Sequence, residues 1–183
     1  STTPRPSVIT LPKHSQFTST IDGVSYTFRT LENFTAADNS GLYEFKTKDG
    51  SDLIPVSEGT LETKTFIVGE ESDDQIYVLP NQSMDTETLT VKVFDNSSST
   101  SFETYTNLRD AIEITTTSKH YQIKEVPNGS FELLFGDGRT TGTKPSAGNK
   151  IVAEYLSTSA ATGNGGTVFA PVSQLTVGGV NYD

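Results

Sequence analysis

The chain has 183 residues, with 13 Lys+Arg against 23 Asp+Glu for a formal net charge of −10, and neither cysteine nor tryptophan. That length suits one domain or two small ones with a real core. The missing cysteines exclude disulfides and thiolate metal sites, no apolar run approaches the roughly 20 residues that span a bilayer, and an acidic surface repels nucleic-acid phosphates.

In chain order, Pro12-Lys13-His14-Ser15 comes first, where His14 reads as a turn position before a strand. Asp22-Gly23 is a turn ahead of Val24-Ser25-Tyr26-Thr27-Phe28, whose apolar positions alternate. Period two means one buried and one wet face, which argues antiparallel strands. Asp49-Gly50 is a second turn of the type that tolerates positive φ. Residues 53–68 read as a long strand carrying the chain onward, with Glu58-Gly59 as a bulge. The acidic run Glu70-Glu71-Ser72-Asp73-Asp74 reads as a solvated loop rather than a metal cage, although a weak divalent ion is the one metal use open to it.

Leu89-Thr90-Val91-Lys92-Val93 alternates again, and the Ser-rich stretch 96–101 reads as a flexible surface loop. Residues 106–113 place Leu108, Ala111 and Ile112 at helical spacing, which predicts one or two helical turns with Thr106 or Asn107 as N-cap. The clearest hairpin joins residues 121–126 to 130–135 through Pro127-Asn128-Gly129. Phe131, Leu133 and Phe135 share one side, as do Ile151, Ala153 and Tyr155.

The fold class that follows is mainly β: antiparallel sheets in sandwich-like modules with one short helix. Two subdomains are expected, residues 1–68 and a larger unit over 69–183, with the tail 170–183 returning to the first. The start at Ser1 and the unpunctuated end read as a segment cut from a longer protein. No leader of basic-then-apolar form is visible, so an intracellular soluble protein, part of an assembly, is the expectation.

Residues 135–149, FGDGRTTGTKPSAGN, pose the main chemical question. A Walker A phosphate loop requires Gly, four residues and Gly-Lys-Ser/Thr between a strand and a helix. Here Gly136 and Gly138 are followed by Thr141 and Thr143, Lys144 precedes Pro145, and residues 150–155 read as a strand. A calcium loop needs acidic groups at alternate positions, and only Asp137 is acidic in this stretch. Turn chemistry is the reading that remains.

His120 is a polar residue at a strand start; an enzyme would need it as a base beside Asp137 or Glu125. Asn33, Asn81, Asn96 and Asn128 open Asn-x-Ser/Thr triplets, which a chain rich in Ser and Thr produces by chance. Tyr26, Phe28, Tyr43, Phe45, Tyr77 and Tyr105 could make an aromatic sugar platform, but their period-two placement reads as core. No catalytic, cofactor-binding or metal-ligating residue is assigned.

The residues from 121 to 164 nevertheless form an ordered series. Tyr121, Ile123 and Glu125 precede Asn128-Gly129; Phe131 leads into Phe135-Gly136-Asp137-Gly138; then come Gly142, Pro145, Gly148-Asn149, Ile151, Tyr155 and Gly163-Asn164. This series resembles the baseplate J-like family of contractile-tail phages, on the side of the T-even baseplate wedge protein. Upstream, residues 9–17, Asp22-Gly23, Tyr26-Thr27-Phe28 and residues 54–60 resemble the same family, while an expected Trp near Tyr105 is Tyr. The resemblance implies a non-enzymatic, cofactor-free structural protein of the virion. It would be made in the host cytoplasm and joined in the tail baseplate to copies of itself and to other wedge proteins, with no nucleic acid or membrane partner. The alternative expectation is a glycan-binding, adhesin-like β module of a phage tail.

Overall fold

The structure, a computed structural model, describes residues 5–70, 75–159, 163 and 165–182. It is almost wholly β, as alternation implies, and its strands group into two compact units. Unit 1 comprises Ser1–Thr60 and Thr158–Asp183, and unit 2 comprises Leu61–Ser157. The expected division at 68/69 differs from this because the strand through residue 67 belongs to the sheet of unit 2. The return to unit 1 also comes at 158 rather than 170.

Unit 1 holds β1 (Val8–Leu11), β2 (Gln16–Ile21), β3 (Val24–Thr30), β4 (Phe34–Ala37), β5 (Val56–Glu58), β13 (Ala170–Pro171), β14 (Leu175–Val177) and β15 (Val180–Tyr182). β1 pairs with β4, β14 with β15, and the remaining four form a sheet in the order β13-β2-β3-β5. The β2–β3 hairpin turns on Asp22 (φ 50°) and Gly23 (φ 81°), between Ile21 and Val24, which face each other. Two central residues with positive φ match the twist of the flanking strands. Ile9, Phe28, Phe34 and Ala36 are buried, and the Phe28 ring meets the edge of Phe169 at 5.0 Å. Thr30 is buried as well, but its hydroxyl donates to Pro12 O (2.8 Å) and accepts from Ser15 N (3.1 Å). Asp49-Gly50 does turn the chain, with Gly50 at φ 86°, yet no strand flanks it.

Unit 2 is one seven-stranded sheet in the order β6-β12-β8-β9-β10-β11-β7. These strands are β6 (Thr60–Ile67), β7 (Ile76–Leu79), β8 (Met84–Phe94), β9 (Phe102–Asn107), β10 (His120–Glu125), β11 (Phe131–Phe135) and β12 (Lys150–Ser157). The sheet nearly closes on itself: Phe66 on β6 and Tyr77 on β7, its two outermost strands, bring their rings to 5.2 Å. Leu79, Val91, Leu133, Ile151 and Ala153 are fully buried in its core.

The expected hairpin is present, with Tyr121 opposite Phe135 and Glu125 opposite Phe131. The β9–β10 pairing is parallel, an exception to the antiparallel expectation. The expected helix is a single 3-10 turn, Leu108–Asp110, capped by the Asn107 side chain accepting from Arg109 N. Ile112 lies fully exposed past its end, while Leu108 and Ala111 are only half-buried. The expected bulge at Glu58-Gly59 is a break between β5 and β6, where Gly59 takes φ 147°.

Candidate functional site

The Gly-rich stretch leaves the half-buried end of β11 and folds back on itself. Phe135 belongs to a chain of rings, Phe66–Tyr77–Phe135–Tyr105, with successive centroids 5.2, 5.8 and 5.3 Å apart. Immediately after it, Gly136 lies against the backbone of the returning chain. A Cβ on Gly136 would stand 2.5 Å from the Gly142 carbonyl carbon and 2.6 Å from Thr141 O. Gly142 itself takes φ +97°, and a Cβ there would stand 2.6 Å from Ser118 O. Only glycine permits such approach of two backbones.

Asp137 fastens the loop. Its Oδ1 accepts from the backbone N–H groups of Arg139, Thr140 and Thr141, each at 2.8 Å, and its Oδ2 accepts from the Thr140 hydroxyl at 2.6 Å. The Thr140 hydroxyl, followed by those N–H groups, holds the carboxyl far below its ordinary value, since donors aimed at a carboxylate favour its charged form.

Four further N–H groups of the loop are engaged as well. Asp137 N donates to Thr141 Oγ1 (3.1 Å), Gly138 N to Gly142 O (2.9 Å), Thr143 N to Ser118 O (2.8 Å) and Gly148 N to Val68 O (2.9 Å). Thr143 Oγ1 meets the Tyr105 hydroxyl at 3.1 Å, tying the loop to the aromatic chain. A phosphate cradle needs several free N–H groups converging on one point. Here an internal carboxylate already takes that place.

The histidines and acids are not brought together. His120 opens β10, with both ring nitrogens buried and without a hydrogen-bond partner among the described residues, while Glu125 lies exposed at the far end of that strand. Asp137 is committed to its own loop. His14 takes φ 68° in the turn between β1 and β2, as a turn residue should. Residues 71–74 of the acidic run lie outside the described residues. Among those described, no three His, Asp or Glu side chains gather as a metal site, and no helix is long and apolar enough to cross a membrane.

The Asn-x-Ser/Thr triplets have a physical explanation beyond chance. In three of them the Asn Oδ1 accepts from the backbone N–H two residues on: Asn81 from Ser83, Asn96 from Ser98, and Asn128 from Ser130, each at 2.9 Å. They are Asx turns, in which the side chain mimics a backbone turn. Asn33 instead accepts from Lys13 N at 2.6 Å. The stretch 96–101, expected to be flexible, is pinned by Lys150 Nζ, which donates to Ser97 O (3.1 Å) and Ser99 O (3.3 Å).

The aromatic residues divide. Phe28 and Tyr105 are buried and Tyr77 packs on the unit 2 core, as their alternation implies, and Tyr26 is half-buried in β3. Tyr43 and Phe45 depart from it: they lie in no strand and line a groove in unit 1. Tyr43 donates its hydroxyl to Pro6 O at 2.6 Å, and its ring meets Tyr182 edge-on at 5.4 Å. Sequence reading missed this groove because its other walls, including Gln16 on β2 and Asn181 on β15, are distant in the chain.

No protein-family model matches the chain, and no curated protein matches it either.

Proposed function

We propose that this chain is a structural component of a phage tail baseplate wedge, working by protein–protein contacts rather than by catalysis. What supports the reading is the ordered series from 121 to 164. Where that series is richest in glycine, the residues build a self-satisfied corner, with Asp137 consuming the loop's own N–H groups. A corner that needs no ligand has one shape in every copy, which suits repeated interfaces under rotational symmetry. On this reading its partners are further copies of itself and other wedge proteins in the virion. Nucleic acid is disfavoured by the net charge of −10. Cross-linking mass spectrometry on purified contractile tails of the source phage tests it. Cross-links from this chain to a second copy and to other baseplate proteins are expected. Absence of the chain from purified tails, or its confinement to receptor-binding fibres, would refute the assignment.

A further inference from the structure

We propose that the unit 1 groove is a binding site for a neutral saccharide. The groove encloses about 660 Å³, within the range of small-molecule sites. Its lining includes Gln16 and Phe17 from β2, Tyr43 and Phe45 from the irregular segment after β4, and Asn181 and Tyr182 from β15. No lining residue is charged, in a chain with 13 Lys+Arg and 23 Asp+Glu. The charged groups nearest that lining, Arg5 and Asp38, both adjoin Gly41 and are opposite in sign, so net charge favours neither an anion nor a cation and the occupant is neutral.

A purely apolar occupant fits no better, because it would strand polar groups. The Gln16 amide has no hydrogen-bond partner among the described residues. Asn181 accepts at Oδ1 from Thr176 Oγ1 (2.7 Å), which leaves its amide N–H groups to donate. An extended peptide cannot join β2 along this wall, since Phe17 and Thr18 already pair with Pro171 and Ala170, and Gln16 O accepts from Val172 N. Sugars combine what remains: hydroxyls for the amides and C–H faces for aromatic rings. The edge-to-face pairing of Tyr43 with Tyr182 leaves ring faces that neither covers, and the bond to Pro6 fixes the Tyr43 ring in advance, which lowers the ordering cost of binding. The site does not rest on the baseplate reading.

The test is a glycan array probed with the whole chain, followed by calorimetric titration with maltotriose, triacetylchitotriose and the anionic 3′-sialyllactose. Saturable binding of a neutral glycan is expected, with none of sialyllactose. Gln16→Ala, which removes an exposed and unpartnered side chain, and Asn181→Ala should each weaken binding about tenfold, the equivalent of one hydrogen bond. Tyr182→Ala should weaken it at least as much; if that variant fails to fold, the two amide variants decide. The proposal falls if no neutral glycan binds saturably, or if binding is unmoved by both amide variants. It falls equally if sedimentation shows self-association abolished by Gln16→Glu, which would make the groove an interface between copies.

Discussion

Replacing Gly142 by alanine tests whether close backbone approach is what the Gly-rich loop requires. Two costs combine at this position: φ +97°, and a Cβ 2.6 Å from Ser118 O, a backbone atom that a side-chain rotation cannot move aside. Left-handed backbone costs an L-residue about 1–2 kcal/mol, and overpacking against fixed neighbours adds about 1–3 kcal/mol. The same loop supplies both controls. Gly148 has φ +86° with nothing within 4 Å of a built Cβ, so Gly148→Ala carries the conformational cost alone. Gly136→Ala carries the steric cost alone. Amide hydrogen exchange of Leu133 and Ile151, both fully buried in unit 2, reads the global opening of that unit. Exchange in Gly142→Ala should accelerate roughly 30-fold to a few thousandfold, for a loss of about 2–5 kcal/mol at tenfold per 1.4 kcal/mol. Gly148→Ala should show clearly less. Equal acceleration in the two variants would refute the argument, because strain alone would then account for both.

Four further outcomes are expected. Asp137 has a depressed folded-state pKa against an ordinary 3.8, so its contribution is complete above that ordinary value and is lost as pH falls through the folded one. The stability gap between wild type and Asp137→Asn in urea should therefore be smaller at pH 3 than at pH 7; an unchanged gap would refute it. Tyr105→Phe deletes the bond to Thr143, which still holds Ser118, and should cost about 0.5–1.5 kcal/mol in the same exchange measurement. Lys150→Met removes the donor to Ser97 and Ser99 and the cation 4.2 Å from the Phe94 ring centroid, so amides of residues 96–101 should exchange faster while the Leu133 amide changes little. Millimolar ATP or GTP should leave the melting temperature unmoved, because the converging N–H groups of the loop are held by Asp137; a saturable rise would show otherwise.

Local devices were the legible part of this fold. Asp22-Gly23 and Asn128-Gly129 announce hairpins because the turn and both strands lie within a few residues of one another. Strand order was not legible in the same way. β12 lies beside β8 with Lys150 opposite Phe94, and nothing local to either strand specifies that partner. The parallel β9–β10 pair depends on how residues 108–119 route the chain, through one 3-10 turn and an exposed stretch, where helical spacing gave a misleading periodicity. Alternation misled once more at Tyr43 and Phe45. Residues 43–46 do alternate between half-buried and exposed, but alternation reports one-sided burial and is silent on whether a hydrogen-bonded partner exists. Burial there is against a groove wall. That is why a segment reading as core lines the candidate saccharide site.

The Gly-rich loop shows how a phosphate cradle and a structural corner can be told apart from neighbouring residues. Both need glycine for tight turns and both direct successive N–H groups inward. A cradle must leave those donors without an internal acceptor, so that an anion from outside completes them. In this chain Asp137 precedes the three donors by two, three and four residues, close enough to accept from all of them. An external phosphate would have to displace a carboxylate tethered in the same turn and then suffer its negative charge as a neighbour. The covalent tether gives the internal acid a high effective concentration, and repulsion acts only against the intruder. An aspartate set just ahead of a run of turn donors is therefore evidence against an anion site, and the glycines around it record the space the backbone needs to close upon itself.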